Sequence, residues 1–301
     1  EGPHMYKRNG WYYLLAAEGG TSYGHMVTIS RSKSPYGPFE SCPHNPILSN
    51  RYAYESIHGT GHADMVELAD GSWWMVHLAF RTPQVLGRET CLAPVKWTPD
   101  GWPVINKTGA VSETMTAKTL ALHPIKDLYR KNHFDSETVG YEWLYLRNPE
   151  VSSYSLIERK GFLRLKGNPK TLFDEASPTF LGRRQEHFNF EASTEIDFNP
   201  AQENEEAGLT LFMKNDSFYR LCIVKSNNKR VLQLRYNLHS LNNIVAEKVL
   251  PVGTVSLKIT GDREFYNFSF SQGDKAYKPL GKLEINFLSA GVTGGYNGLI
   301  I

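Results

Sequence analysis

Three short segments of the 301-residue chain combine glycine with charged or histidine side chains in patterns that could serve catalysis or binding. The first is the run Glu-Gly-Pro-His at residues 1–4. Its Gly-Pro pair holds the carboxylate of Glu1 on a stiff, non-helical backbone, and a carboxyl group fixed in this way suits general acid chemistry. Taken alone, this segment does not establish catalysis.

The second segment, residues 58–64, contains two histidines four residues apart and an aspartate two residues further on. His58, His62 and Asp64 are residue types that ligate metals, so one hypothesis is a catalytic metal site. The glycines between them exclude a helix, and the two imidazoles therefore need not face one point. A loop with one buried, hydrogen-bonded histidine is the alternative, and the pattern favours it.

The third segment is Leu-Gly-Arg-Glu-Thr at residues 86–90. The planar guanidinium of Arg88 offers a rigid fork for hydroxyls or carboxylates of a ligand. An internal ion pair with Glu89 or another acid is the alternative. Elsewhere, Trp73 and Trp74 point to opposite faces of one strand, so at most one of them can line a cleft, and both more often belong to a core.

The elements of the first half that must position these residues are β-hairpins. Asn9-Gly10 and Asp70-Gly71 each lie between two runs of aromatic and β-branched residues. Both dipeptides supply the positive φ of a tight type I′ turn. A third pair, Asp100-Gly101, precedes another short apolar run. Hairpins recurring in this way are typical of a β-propeller with large blades.

The second half predicts a different β architecture. Phe188, Phe190, Ala192, Thr194, Ile196 and Phe198 alternate with polar residues, which indicates a strand with one buried face. Further strands are predicted at 209–213, 219–224, 231–236, 255–259 and 265–270. Glycine, asparagine and aspartate turns separate them. Many short strands joined in this way indicate an antiparallel β-sandwich, so the predicted fold class is all-β.

The composition changes near residues 120–134, because all six tryptophans and most histidines precede the second group of strands. The segment 121–127 contains Pro124 and suits a connector, since proline ends regular structure there. We therefore predict two domains, residues 1–125 and residues 126–301. The absence of an initiator methionine before Glu1 suggests a piece of a longer protein.

Charge and composition exclude several classes of protein. Lysine and arginine number 33 against 31 acidic residues, a net charge of +2, which argues against a nucleic-acid partner. No apolar run approaches the roughly 20 residues of a membrane-spanning helix, so no membrane partner is expected. Cys42, Cys91 and Cys222 are too widely spaced for a disulfide framework or a zinc cluster. We expect a soluble protein of the cytoplasm or periplasm, without assigning one of the two.

Taken as an ordered set, the motifs resemble the β-xylosidase branch of glycoside hydrolase family 43. The matching segments in the first half are Glu-Gly-Pro-His-x-Tyr-Lys at 1–7, Ala-Glu-Gly-Gly-Thr at 17–21, Ser-Pro-Tyr-Gly-Pro-Phe at 34–39, Gly-His-Ala-Asp at 61–64 and the run at 86–97. In the second half, residues 146–149, 177–185 and 204–209 are similar to the concanavalin-like domain of that branch. The resemblance implies the later blades of a five-bladed β-propeller followed by an antiparallel β-sandwich.

The resemblance also implies a chemistry. Enzymes of this family release terminal pentoses with inversion, using a carboxylic acid and a carboxylate that are roughly 6.5 to 9.5 Å apart. Glu1 matches the general acid. The general base and a second aspartate that tunes the acid belong to earlier blades, and neither has a counterpart among the motifs of this chain. We therefore expect a missing N-terminal propeller segment as a partner, and no hydrolysis by the chain alone.

The family pattern assigns further roles residue by residue. Arg88 matches the arginine that holds hydroxyls of the terminal sugar, and His4 and Thr21 are second candidates for substrate binding. His62 matches a histidine that faces a bound calcium ion through water. No cofactor is required, and a structural calcium ion near His62 is the one metal considered. Val292 stands where the branch has an aromatic residue that narrows the pocket, which puts that contact in doubt.

The expected function is exo-acting hydrolysis that releases xylose, and arabinose as a second sugar, from xylo-oligosaccharides or arabinoxylan-derived substrates. One alternative within the enzyme class is an α-L-arabinofuranosidase as the main activity. Another, from a different class, is a carbohydrate-binding or interaction protein without turnover. Further copies of the same chain, in a homo-oligomer, are left open as partners.

Overall fold

The computed structural model describes residues 1–51, 56–118, 120–124, 131–273 and 276–301. The chain divides into two compact units, Glu1–Ile125 and Lys126–Ile301. The predicted connector at 121–127 lies outside the described residues from position 125 onward. Within the described ranges, no helix is long and apolar enough to cross a membrane.

The first unit consists of two four-stranded antiparallel sheets, each with its strands in sequence order. The first sheet contains β1 (His4–Arg8), β2 (Trp11–Glu18), β3 (Met26–Ser32) and β4 (Glu40–Ser41). The second sheet contains β5 (Ile57–Glu67), β6 (Trp73–Arg81), β7 (Glu89–Trp97) and β8 (Pro103–Ile105). A four-stranded antiparallel meander of this kind is the unit from which propeller blades are built.

The two predicted hairpin turns differ in type. Asn9 (φ 48°) and Gly10 (φ 73°) both have positive φ between β1 and β2, which confirms the tight type I′ turn. At the second site only Gly71 has positive φ, and the loop is longer because Leu68 and Ser72 close it through their backbones. The Asp70 carboxylate accepts hydrogen bonds from the Ser72 N–H (2.9 Å) and hydroxyl (2.6 Å). The type I′ prediction was wrong here because this side-chain turn displaces it.

The core of the first unit is formed jointly by the two sheets. Alternate residues of β2, such as Tyr13 and Leu15, are fully buried, and so are Val27 and Ile29 on β3. They share one apolar cluster with residues of the second sheet, including Met75. Trp73 belongs to this cluster and Trp74 is buried as well, so both tryptophans are core residues rather than a sugar platform. The shared core fixes the two sheets against each other.

The second unit is an antiparallel sandwich. Its strands are β11 (Phe190–Ile196), β12 (Glu206–Lys214), β13 (Ser217–Ser226), β14 (Lys229–Leu238), β15 (Leu241–Val249), β16 (Val255–Gly261), β17 (Phe265–Ser271) and β18 (Lys278–Glu284). They form two four-stranded sheets, in the orders β11-β16-β17-β18 and β12-β13-β14-β15. Smaller elements are a ribbon of β9 (Tyr154–Ser155) and β10 (Arg164–Leu165), 3₁₀ turns at Val151–Ser153 and Ile285–Leu288, and a helix at Ala290–Thr293.

Period-2 alternation places the large side chains of the sandwich between its sheets. Tyr219 on β13 lies in edge contact with Tyr266 and Phe268 on β17, and all three are fully buried. The five strands predicted after residue 200 and the alternating strand before it are all present. The sequence reasoning did not find β15 and β18, each of which is one of the two edge strands of its sheet.

Candidate active site

The strand pairing brings several chain segments to one end of the two sheets. In the first sheet this end holds the start of β1, the end of β2 and the start of β3. In the second sheet it holds the start of β5, the end of β6 and the start of β7. The His25 ring, just before β3, contacts the backbone oxygen of Gly59 on β5 and joins the two sheets here. All three segments singled out from the sequence lie at this end.

The position of Glu1 is fixed by its backbone. Its nitrogen donates to the Ala17 carbonyl oxygen at 2.8 Å, and the Ala17 N–H donates to the Glu1 carbonyl oxygen at 2.9 Å. Gly2 follows with a φ of 54°, a conformation that glycine adopts without strain. The side chain is therefore held at the strand edge, and it is 49% exposed to solvent. A carboxyl group in this position is accessible to a ligand.

Two imidazoles face the same oxygen of the Glu1 carboxyl group. His25 Nε2 lies 3.4 Å from Glu1 Oε1, and His62 Nδ1 lies 3.8 Å from it. His25 is completely buried, whereas His62 is 48% exposed. The two rings thus approach Oε1 from the interior and from the solvent side, respectively.

The buried ring of His25 is held from its other side. Its Nδ1 lies 3.0 Å from the Gly59 carbonyl oxygen, which can only accept a hydrogen bond, so Nδ1 carries a hydrogen. Its Nε2 is buried without a hydrogen-bond partner of good geometry. Gly61 packs flat against the ring, since a Cβ at this position would lie 2.5 Å from both ring nitrogens.

His25 is the residue that the sequence reasoning missed. The motif that carries the resemblance ends at Thr21, four residues earlier. One signal was available: His25 shares the period-2 face of β3 with Val27 and Ile29, which are both buried. A histidine at an inward-facing strand position, directly after a glycine-rich loop, is a candidate for a buried polar role.

The two histidines of the second segment, His58 and His62, do not converge with Asp64. His62 has a φ of 47° and lies where the pairing of β5 with β6 is irregular, a bulge that turns its side chain out toward Glu1. The His58 ring packs edge-on against Tyr23 at 5.3 Å, and desolvation lowers its pKa. Asp64 accepts a hydrogen bond from the Tyr6 hydroxyl. The three candidates of the metal hypothesis therefore have different partners.

His4 lies beside Asp64 rather than beside Glu1. Its Nδ1 is 3.7 Å from Asp64 Oδ1, and its ring stacks on Tyr6. The Tyr6 hydroxyl also accepts the Met65 N–H at 2.8 Å. Burial, followed by the hydrogen bond to Asp64, raises the pKa of Tyr6 well above its usual value. This group connects β1 to β5 and stabilises the strand that follows Glu1.

Thr21 and Arg88 both lie in loops at the site end. Thr21 is half-buried in the loop between β2 and β3, and Arg88 is exposed in the loop between β6 and β7. An ion pair anchors the base of the second loop: Arg81 Nη2 lies 2.8 Å from Glu89 Oε1 and Arg81 Nε lies 2.9 Å from Glu89 Oε2. Glu89, the acid expected as an alternative partner of Arg88, is thus bound in a bidentate contact by Arg81.

The described residues do not fit a metal centre by themselves. No group of three or more histidine, cysteine, aspartate or glutamate side chains converges in the part of the chain that the structure describes. Calcium prefers six to eight oxygen ligands. The expected calcium neighbour, His62, offers one nitrogen, and Glu1 Oε1 lies 3.8 Å from it. We derive no catalytic step through a metal ion.

Two family models match the chain. The model for glycosyl hydrolases family 43 matches residues 1–103, and the model for the β-xylosidase C-terminal concanavalin A-like domain matches residues 131–301. Both matches agree with the blade-like sheets and the sandwich, respectively. The fold class is therefore that of an all-β protein with propeller blades followed by an antiparallel sandwich, as predicted.

Relatives and solved structures agree with these models. The non-reducing end α-L-arabinofuranosidase BoGH43B of Bacteroides ovatus is 43% identical over 100% of this chain and 58% of its own length. A xylan 1,3-β-xylosidase of a Vibrio species is 33% identical over 90% of this chain and 54% of its own length. The structure of the Bacteroides ovatus xyloglucan-locus GH43B superposes with a TM-score of 0.93 and 42% identity, covering 100% of this chain and 60% of that one.

A second solved structure, the GH43 protein BlXynB of Bacillus licheniformis, has a TM-score of 0.90 at 34% identity and covers 99% of this chain and 60% of that one. The fold and the relatives define a protein of the propeller-plus-sandwich class. The chain belongs to glycoside hydrolase family 43. It spans 58% of the length of the Bacteroides ovatus relative.

Proposed function

We propose that the protein containing this chain is an exo-acting, inverting glycoside hydrolase that releases terminal xylose, with arabinose as a second sugar. The observation that carries the proposal is the Glu1 carboxyl group, which is fixed by backbone bonds to Ala17, half-exposed, and faced by two imidazoles on one oxygen. The relatives named as xylosidases and arabinofuranosidases support this substrate class.

In this proposal Glu1 is the general acid. As the glycosidic C–O bond breaks, the Glu1 proton passes to the leaving oxygen while a water molecule attacks the opposite face of the sugar. Removal of the water proton requires a second carboxylate roughly 6.5 to 9.5 Å away. We assign that base to residues outside 1–301. At this end of the sheets, Asp64 bonds to Tyr6 and Glu89 to Arg81, so neither of these carboxylates is proposed for the role.

Assays with two chromogenic substrates test the function. The full-length gene product that contains this chain should hydrolyse nitrophenyl β-D-xyloside and, to a different extent, nitrophenyl α-L-arabinofuranoside. The ratio of the two kcat/KM values decides which sugar is preferred. Binding of xylo-oligosaccharides without turnover of either substrate would contradict the proposal and favour a carbohydrate-binding protein.

Arg88 is proposed to hold hydroxyls of the terminal sugar, with Thr21 and His4 nearby. Replacing Arg88→Lys keeps the charge but loses the planar fork, and a hydrogen bond to a charged group contributes about 1.5–3 kcal/mol. We expect kcat/KM for the xyloside to fall about 10- to 100-fold. Steady-state kinetics measures the loss, and Arg164→Lys on the exposed β10 ribbon serves as control. A variant with unchanged kcat/KM would remove Arg88 from the pocket.

A structural calcium ion near His62 also stays a proposal, and no metal is assigned a chemical step. If acid catalysis by Glu1 carries the reaction, chelation should leave kcat for the nitrophenyl xyloside within about twofold of its starting value. Kinetics before and after dialysis against excess EDTA measures this, with magnesium and calcium added back as the control. Loss of turnover that calcium restores would support a metal-dependent site instead.

A further inference from the structure

We propose that the sandwich carries a saccharide-binding site on the outer face of strands β13 and β14, and that its ligand is a neutral sugar bound through hydroxyl groups. The inference goes beyond the proposed hydrolase function and does not depend on Glu1, since every residue that carries it lies in the second unit. It is argued from the burial, the unpaired polar atoms and the charge balance of this face.

The outer face of these two strands is buried although it lies opposite the core. Tyr219 on β13 packs against the facing sheet, so its neighbour Arg220 lies on the outer face. The register pairs Arg220 with Arg235 on β14, and Gln233 and Asn237 share this face because each is two residues from Arg235. Arg220 is only 8% exposed, Gln233 2% and Asn237 0%. These polar side chains are thus as buried as core residues.

Each of the four side chains has a buried polar atom without a hydrogen-bond partner. Arg220 and Arg235 each leave an Nε–H unpaired. The Asn237 oxygen accepts from Arg220 Nη2 at 3.2 Å, so its unpaired atom is the Nδ2 donor. The Gln233 nitrogen donates to Glu247 Oε2 at 3.1 Å, so its unpaired atom is the Oε1 acceptor. The face thus holds three unpaired donors and one unpaired acceptor.

The concentration of these atoms on one face indicates a binding role. Buried polar groups in native proteins are nearly all paired, because an unpaired one lowers stability. Across the described residues, nine buried side-chain atoms lack a partner, and these four lie together on two paired strands. Packing alone would favour apolar side chains at such positions. A ligand that pairs with the four atoms accounts for them.

The charges of the face favour a neutral ligand. Arg220 Nη1 donates to Glu206 Oε1 at 2.6 Å, and Arg235 Nη1 lies 3.7 Å from Glu206 Oε2. Glu247 supplies a second carboxylate, beside Gln233. Two guanidiniums and two carboxylates sum to zero, so no net charge attracts an ion. The three donors and one acceptor instead match the oxygens of a sugar, whose hydroxyls both accept and donate hydrogen bonds.

The rim of the face gives a ligand access and apolar contact. The side chains of Arg235 and Glu206 are 26% and 35% exposed. On the edge strand β15, Ile244 and Val249 lie opposite Arg235 and Val231 and are 42% and 55% exposed. Apolar surface beside hydrogen-bonding groups suits a sugar ring, which has C–H groups between its hydroxyls. Side chains often change rotamer on binding, and rotation of the half-exposed Arg235 opens the buried atoms to the ring.

Calorimetric titration with xylotetraose, a neutral saccharide, tests the site. The full-length protein carries Glu1→Gln as the parent background, so that the sugar is not consumed. Arg235→Lys keeps a charge beside Glu206 but loses the Nε donor, and we expect it to weaken binding about 10-fold. Gln233→Met keeps the length of the side chain but loses the acceptor, and we expect a similar loss.

Three comparisons separate this site from the candidate active site. Arg159→Lys is the matched control, since Arg159 forms an exposed ion pair with Asp197 elsewhere in the sandwich, and it should bind as the parent does. Arg88→Lys changes the first unit and should leave the affinity of the sandwich site unchanged. Without the Glu1 substitution, Arg235→Lys should hydrolyse nitrophenyl β-D-xyloside within about twofold of the wild-type rate. Binding at this face by a protein that hydrolyses no xyloside would support the inference while the proposed function fails.

Stability measurements distinguish binding from a structural role. We expect xylotetraose to raise the denaturant midpoint of the parent more than the midpoints of Arg235→Lys and Gln233→Met. Variants that lower the midpoint but bind xylotetraose as the parent does would show that water alone fills the polar atoms, and would overturn the inference. Detection of no site other than the one that responds to Arg88→Lys would overturn it too. So would binding of glucuronate in place of xylotetraose.

Discussion

Replacing Glu1→Gln in the full-length protein should lower kcat for xylobiose by about 10² to 10⁴-fold, the usual contribution of a general acid. Glutamine keeps the shape of the side chain and its backbone bonds to Ala17, which do not involve the carboxyl group. Its amide can donate a hydrogen bond but cannot give up a proton at neutral pH. The chemical step is therefore lost while substrate binding is kept, so KM should change little.

The same variant should be far less impaired on dinitrophenyl β-xyloside, because this leaving group needs no proton. Rates are measured on a series of aryl xylosides whose leaving phenols differ in pKa. The rate should fall steeply with increasing phenol pKa for Glu1→Gln and only slightly for the wild-type protein. Glu67→Gln is the control, since Glu67 is exposed at the opposite end of β5. A uniform loss across the series would mean that Glu1 has another role.

Replacing Gly61→Ala should impair the candidate site by displacing the buried His25 ring. The new Cβ would lie 2.5 Å from both nitrogens of the His25 ring, and the fully buried ring must move. Because the His25 ring lies 3.4 Å from Glu1 Oε1, its movement also shifts the candidate acid. Displacement of a catalytic group by about 1 Å can lower the rate about 10²-fold. We expect kcat for xylobiose to fall by about that factor. We also expect a stability loss of about 1–3 kcal/mol from overpacking.

Thermal unfolding and kinetics on the same sample separate these two effects of Gly61→Ala. Gly167→Ala is the matched control, since its Cβ would meet no atom within 4 Å and its φ is not in the left-handed region. That control should leave both kcat and the melting temperature nearly unchanged. Full activity of Gly61→Ala would show that the position of the His25 ring does not matter for the acid.

The fold was predictable where local chemistry decides it. Asn9 and Gly10 determine a tight turn by themselves, and alternation marks the strands with one buried face. The Asp70-Gly71 loop departs from the prediction because the Asp70 carboxylate accepts hydrogen bonds from Ser72, two residues further along the chain. The edge strands β15 and β18 were not predicted, for a different reason. Nearly every residue of β15 is exposed, so no apolar periodicity distinguishes it from a loop.

The candidate site was predictable only in part. The stiff Gly-Pro backbone after Glu1 is readable from neighbouring residues. The environment of the Glu1 carboxyl group is not, because it depends on His25, 24 residues away, and on a Gly59 carbonyl 34 residues further along the chain. These contacts arise when two sheets pack on a shared core, and no local pattern encodes that packing. The roles carried over to Arg88, Thr21, His4 and His62 stay predictions.

The stereochemistry of hydrolysis tests the central claim most directly. Proton NMR during the first minutes of β-xyloside hydrolysis by the full-length protein identifies the first-formed anomer of xylose, before it equilibrates. An inverting enzyme with Glu1 as its acid should release α-xylose first and β-xylose only by later mutarotation. Release of β-xylose first would contradict the account, because a retaining enzyme needs a nucleophilic carboxylate close to the acid rather than a base that activates water.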